Sequence, residues 1–355
     1  MRTRGLFIQS TGVHIADRIS VAEAVAAGWY DQDEAEATGY VGIAVAGDVS
    51  APELALAASR RALDRLAEPA VPLSHLFYAD VYHSGPDGWL PYTYLQRHLS
   101  ADDAFGTGVR QGCNGMFGAL RLADAALRTT PAGPDGEAPA VLLVAADNFG
   151  SPLLDRWTCN PGLVMADGAA ALVLGRTPGV AEVLSVAAVN LSGLEALHRG
   201  DTPLAPPDLL LGRPLDFGAR FAEFARSGGF GPGSGLEFVE RFGGLVDRLL
   251  DEAGIGLDEV TRVAFNHAGR ETVEDRVVGP LGVPLKETTW EYGSTIGHVG
   301  AADQVIALDH LLDTGELGPG CHLLLLGVGP GVTIAGAVIK VLDVPHWLSK
   351  PAGPS

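Results

Sequence analysis

Cys113 stands between Gly112 and Asn114-Gly115 in "RQGCNGMFGALRLADAAL" (110–127), where a turn of small residues runs into an apolar helical pattern. A helix starting there presents unpaired N–H groups with partial positive charge, which favours a thiolate. Glycines on both sides permit a sharp turn and close substrate approach. This pattern offers nucleophilic attack from a strand-to-helix turn. The plainer alternative is a buried cysteine acting as a small apolar filler. Cys159 and Cys321 lack that setting and read as structural, Cys321 heading an apolar strand.

A base for such a nucleophile has two candidates. In "EYGSTIGHVGAADQVIAL" (291–308), His298 lies among glycines and Asp303 follows five residues later, in the first turn of a predicted helix. A carboxylate bonded to an imidazole sets its tautomer and strengthens it as a base. Asp303 is equally explained as a first-turn acid favoured by the helix dipole, with His298 a satisfied loop histidine. In "VAFNHAGRE", His267 closes an apolar strand, where ligand-facing groups of α/β folds gather, although such a histidine is also commonly structural. The glycines of "GVGPG" (327–331) bring backbone N–H groups close to a substrate and suit an oxyanion. The spacing is not that of a dinucleotide-binding loop, and a strand follows rather than a helix.

The elements that must position these residues alternate between short apolar runs and helical runs. Strands are expected at "LFIQSTGVHI", "LSHLFYADVYHS", 140–149, 168–177, "AEVLSVAAVNLSG", 260–271 and twice within 322–342. Helices are expected at 50–67, after Cys113, at 236–254 and at 301–315. This is an α/β chain with covered sheets. Its halves look alike: each has a glycine turn bearing a reactive residue before a helix, and a late glycine-dotted strand. We divide it at 1–180, which carries Cys113, and 181–355, which carries both histidines. Residues 195–235, rich in Gly, Pro and Arg, read as a loop-dominated insertion.

Composition narrows the partners. The net charge of −19 over 355 residues argues against a nucleic-acid binder. Three widely spaced cysteines give neither a disulfide framework nor zinc spacing, and no metal site is expected. No run suits a signal peptide or a membrane span, so a cytoplasmic protein is expected. Arg60, Arg61 and Arg65 share a helix, either as a basic docking patch or as a solvated face.

Together the pieces resemble the thiolase-fold enzymes of the ketoacyl-carrier-protein synthase III type, over about 1–342. "GVRQGCNGMFGAL" is similar to the segment around that family's acyl-accepting cysteine. "DRWTCNPGLVMADGAAALVLG", "FNHAGRE" and "GVGPGVTIAGAVI" are similar to its Gly-Asp-Gly-Ala strand, its His-Gln-Ala-Asn region and its C-terminal glycine turn. The resemblance implies a five-layered αβαβα thiolase fold from two duplicated halves, a homodimer, and acyl transfer through a Cys113 thioester. No cofactor is implied beyond the donor, an acyl-carrier-protein phosphopantetheine or coenzyme A thioester.

The departures carry information. His267 stands at the family's histidine position, but His298 replaces the asparagine of Gly-Asn-Thr-Ser, with Asp303 five residues on. Such changes resemble a subgroup of natural-product pathways, polyketide and antibiotic among them, that moves acyl groups onto a hydroxyl, an amine or another carrier. Decarboxylative condensation needs donors to an enolate and no base, whereas esterification needs a base. The oxyanion donors implied are the N–H of Cys113 and one from the glycine turn. Pro330 has no N–H, so Gly331 is the choice. Trp89, with Tyr92, and Asn266 are the candidate substrate contacts. The leading expectation is an acyltransferase acting on a small-molecule acceptor such as a polyketide or sugar. The alternatives are a starter-unit condensing enzyme or acyl shuttle between carrier proteins, and an inactive partner subunit.

Overall fold

The computed structural model describes residues 1–67, 71–133, 136–206 and 211–349. Its strands are β1 (Phe7–Ile15), β2 (Arg18–Ser20), β3 (Gly42–Ala44), β4 (Leu73–Ala79), β5 (Phe105–Val109), β6 (Ala140–Asp147), β7 (Gly168–Gly175), β8 (Ala181–Asn190), β9 (Val260–Ala264), β10 (His322–Gly329) and β11 (Thr333–Val341). Nine of these follow the order β5-β4-β6-β7-β1-β8-β11-β10-β9, and β2 pairs with β3 separately. The order contains its own repeat. From β1 outward, β7 and β6 are antiparallel neighbours and β4 then runs parallel to β6. From β8 outward, β11 and β10 are antiparallel and β9 runs parallel to β10. Among the described residues the strands of the two series pair where Phe7 and Ile8 meet Glu182 and Ala181.

Parallel neighbours need long crossovers, and here these are the helices that matter. Helix Gly115–Thr129 leads from β5 to β6, and helix Asp303–Asp313 precedes β10. Both lie between the two strand series and touch strands of each, while Ala51–Asp64 covers β1, β6 and β7, and Ser234–Ala253 covers β8 and β11 from outside. The stack is therefore αβαβα. Strand periodicity shows why it closes: Val141, Leu143 and Ala145 of β6 enter the central core, and Leu142 and Val144 the outer one. On β10, Leu323 and Leu325 face the centre while Leu324 and Leu326 face the far side. Both of these strands bury both faces, so their sequences read as continuous apolar runs.

Two expectations change. Residues 195–235 are not all loop: Phe217–Arg226 is a helix, capped by Asp216, whose carboxylate accepts the Ala219 N–H at 2.8 Å. The glycines and prolines on either side masked its helical spacing. Arg65 belongs to no docking patch or solvated face, because it is buried and its guanidinium reaches Asp309 at 2.5 Å and Asp313 at 2.6 Å. It ties the outer helix to the central one.

Candidate active site

The short turn Gly112–Asn114 carries Cys113 into helix Gly115–Thr129. Gly112 has φ of 53°, and a Cβ there would stand 2.6 Å from the Pro330 ring, so only glycine fits. That contact lays the Pro330-Gly331 turn against the cysteine turn. Asn114 straps the two together, its Nδ2 donating to the Thr333 carbonyl at 2.8 Å. The Cys113 and Gly331 backbones thus belong to adjoining turns.

Opposite the sulfur stands His298. Its own N–H donates to the Val164 carbonyl at 2.9 Å and its carbonyl accepts from Ala166 at 2.9 Å. Its side chain is as firmly held. Nδ1 donates to Asp303 Oδ2 at 2.5 Å, which leaves Nε2 facing Cys113 Sγ at 3.0 Å. All three side chains are buried. Asp303 opens helix Asp303–Asp313 and takes two further N–H bonds, from His267 at 2.7 Å and Val299 at 2.8 Å. One carboxylate thereby organises both histidine-bearing loops.

His267 turns Nδ1 to the Gly297 carbonyl at 3.1 Å, with Asp303 Oδ1 3.5 Å away. Its Nε2 is buried without a hydrogen-bond partner, and its carbonyl accepts from Tyr40 Oη at 2.6 Å. The two histidines are tuned apart. Burial opposes a charge on each. For His298 the Asp303 carboxylate, the Cys113 sulfur and the hydrogen bonds to both outweigh burial and hold its pKa well above the ordinary histidine range. For His267 burial prevails over Asp303 and lowers it. Asp303 is penalised by burial too, but both histidines and its hydrogen bonds bring its pKa below the usual carboxylate value. An acid and base pushed in opposite directions is a pattern of working sites.

Trp89 packs on Gly85, which lines a cleft of about 350 Å³ with Tyr82, His83, Asp87, Asn148 and Ser151. Tyr92 packs against Gly106 and the outer core. Asn266 commits its Oδ1 to the Val328 N–H at 2.8 Å, while its buried Nδ2 has no partner. Among the described residues no group of His, Cys, Asp and Glu is placed to hold a metal ion, and no helix is long and apolar enough to cross a membrane.

Sequence reasoning passed over Tyr40, Asn114 and Asp147. Asp147 is fully buried at the end of β6 and accepts N–H bonds from Val81 and Tyr82, both at 2.9 Å. Its only sequence signal is an aspartate closing the wholly apolar run "AVLLVAAD".

The profile of 3-oxoacyl-[acyl-carrier-protein (ACP)] synthase III matches residues 108–191, and that of its C-terminal part matches 250–341. The beta-ketoacyl-[acyl-carrier-protein] synthase III of Clostridium perfringens (strain 13 / Type A) is 27% identical over 305 residues, covering 83% of this chain and 86% of its own. Among solved structures, ChlB3, described as an acyltransferase, is 46% identical with a TM-score of 0.91, over 96% of this chain and 99% of its own. The 3-oxoacyl-[acyl-carrier-protein] synthase III of Aquifex aeolicus VF5 shares the fold at 20% identity and a TM-score of 0.72, over 94% and 99%. The chain is a thiolase-fold enzyme and belongs to the ketoacyl-carrier-protein synthase III-like acyltransferases.

Proposed function

We propose that this enzyme is a ping-pong acyltransferase that carries an acyl group on Cys113 and delivers it to a hydroxyl or amine. The observation that carries the reading is the chain Cys113 Sγ to His298 Nε2 at 3.0 Å and His298 Nδ1 to Asp303 Oδ2 at 2.5 Å. In the first half-reaction His298 takes the thiol proton, and the thiolate attacks the thioester carbonyl of a carrier-protein or coenzyme A donor. The N–H groups of Cys113 and Gly331 receive the oxyanion. The donor thiol leaves with the proton from His298. In the second half-reaction the acceptor hydroxyl gives its proton to His298 and attacks the Cys113 thioester. Collapse of the oxyanion expels the cysteine, which takes that proton back. Acylation removes the sulfur's negative charge, one support of the raised His298 pKa, and so frees Nε2 to act as a base when the acceptor arrives.

Condensation is the less suited reading. It needs donors to an enolate and no base, whereas the His298–Asp303 pair supplies a base for the proton of an acceptor hydroxyl or amine. The 46% identity to ChlB3, described as an acyltransferase, points the same way. The cleft beside Tyr82, His83 and Ser151 offers polar groups to a small-molecule acceptor. Malonyl-coenzyme A separates the chemistries: a transferring enzyme leaves an intact malonyl adduct on Cys113. Release of carbon dioxide at the rate of adduct formation would move the assignment to condensation.

A further inference from the structure

Asp147 lies beside this site, and the mechanism above does not use it. Its carboxyl is buried at the carboxyl end of β6, and its Oδ1 accepts the N–H groups of Val81 and Tyr82, each at 2.9 Å. Tyr82 lines the cleft. The other oxygen, Oδ2, also accepts from the Val81 N–H at 3.2 Å and lies against the Gly300 turn. Gly300, two residues after His298, has φ of 58°, and a Cβ there would stand 2.4 Å from Asp147 Oδ2. The carboxyl therefore fills the space between the cleft wall and the turn that carries the base. Nearby, Gly115 at the start of the cysteine helix packs on Ala79 and Ala301 with no room for a side chain. Small residues let all three loops converge there, and Asp147, hydrogen-bonded to the Val81–Tyr82 loop, packs directly against the Gly300 turn.

No cation is paired with this carboxyl among the described residues. Asp80, its nearest acidic neighbour in the chain before Val81, is held by Arg110. Asp167, beside the β7 partner Gly168, is held by Arg156. His298 is committed to Asp303. Burial, with the Asp80 charge adding to it, pushes the Asp147 pKa up to about 8, against the hydrogen bonds from Tyr82 and Val81 and the pull of His298. An unpaired buried carboxyl destabilises the fold, and such groups persist where they serve a site.

We propose that Asp147 is a positioning residue for acyl transfer: its carboxyl straps the Val81–Tyr82 wall of the cleft to the Gly300 turn and so sets His298 opposite Cys113. The inference rests on the base assigned above. Its test is the rate at which iodoacetamide alkylates Cys113 near pH 6.5, where reactivity depends on the imidazolium held beside the sulfur. Asp147→Ala removes the acceptor and is expected to slow alkylation about tenfold or more, whereas Asp147→Asn keeps an acceptor oxygen and should restore it to within about threefold. Equal rates for Asp147→Ala and wild type would overturn the proposal, as would Asp147→Asn failing as badly as Asp147→Ala in a folded state. Should Asp147→Ala not fold, Gly300→Ala approaches the same contact from the other side, and an unchanged rate there overturns it too.

His298→Asn separates this inference from the one it rests on. If that variant and wild type react alike, the base assignment fails, and the strap is judged on stability instead. The folded carboxyl binds its proton up to about pH 8 and the unfolded one only to its ordinary value of 3.8, so wild type loses stability as pH rises through that window. Asp147→Asn has no such loss, and its advantage in Tm should grow across the window. Parallel Tm curves would show that the carboxyl does not occupy the buried strap position.

Discussion

His298→Asn lowers acyl transfer to the acceptor by about 10²–10⁴-fold, the span that a positioned general base contributes. In barrier height this is roughly 3–5 kcal/mol. Asparagine cannot take a proton, so both the thiol and the acceptor lose their base. The variant breaks the buried pair with Asp303 and loses stability for it, while the backbone bonds to Val164 and Ala166 keep the turn in place. The turn also resembles that of the condensing enzymes, which carry asparagine there. Single-turnover measurements divide the effect. Acyl-enzyme formation slows because the thiol has lost its proton acceptor, and deacylation slows because the acceptor hydroxyl has lost it too. Transfer at the wild-type rate would remove His298 from the mechanism.

Asp303→Asn acts through more groups at once. The carboxylate takes N–H bonds from the His298 ring, the His267 backbone and the Val299 backbone. An amide has one acceptor oxygen for three donors and turns its NH2 towards at least one of them. The His298 tautomer is no longer enforced, and kcat is expected to fall about 10²–10⁴-fold. Breaking the buried pair also costs about 3–5 kcal/mol of stability. The pH dependence has a definite sign. Asp303 titrates below its unfolded value of 3.8, so its contribution is present above that pH and fades as pH falls through the folded value. His298 titrates above its unfolded value of 6.5, so its contribution is full below that pH and fades as pH rises through the folded value. The Tm gap between wild type and variant should therefore be widest between those two unfolded values. A gap independent of pH would contradict the ion pair.

What the sequence made legible was set by distance along the chain. His298 and Asp303 are five residues apart, so a shared loop and helix start bring them together, and spacing alone suggested their bond. Cys113 meets His298 across 185 residues, and no local pattern reports that. It was reached through the resemblance to a family. The central layer was visible as continuous apolar runs because strands such as β6 bury both faces. Tertiary pairing overrode local reading elsewhere. Arg65 looks like a surface charge on its own helix and is buried only because Asp309 and Asp313 come to it from another. The spacing presents Asp303 as a partner for one histidine, and the backbone bond from His267 reveals it as the organiser of two loops. Asp147 was hidden for the same reason: its partners Val81, Tyr82 and Gly300 come from distant parts of the chain.

The central claim is that Cys113 holds the acyl group between donor and acceptor. Intact-protein mass after brief exposure to a panel of acyl-coenzyme A and acyl-carrier-protein thioesters tests it most directly, with Cys113→Ala alongside. The account predicts a gain of one acyl group on wild type with at least one donor, none on Cys113→Ala, and its disappearance when a nucleophilic acceptor is added. An equal gain on Cys113→Ala, or no gain from any donor, would contradict it.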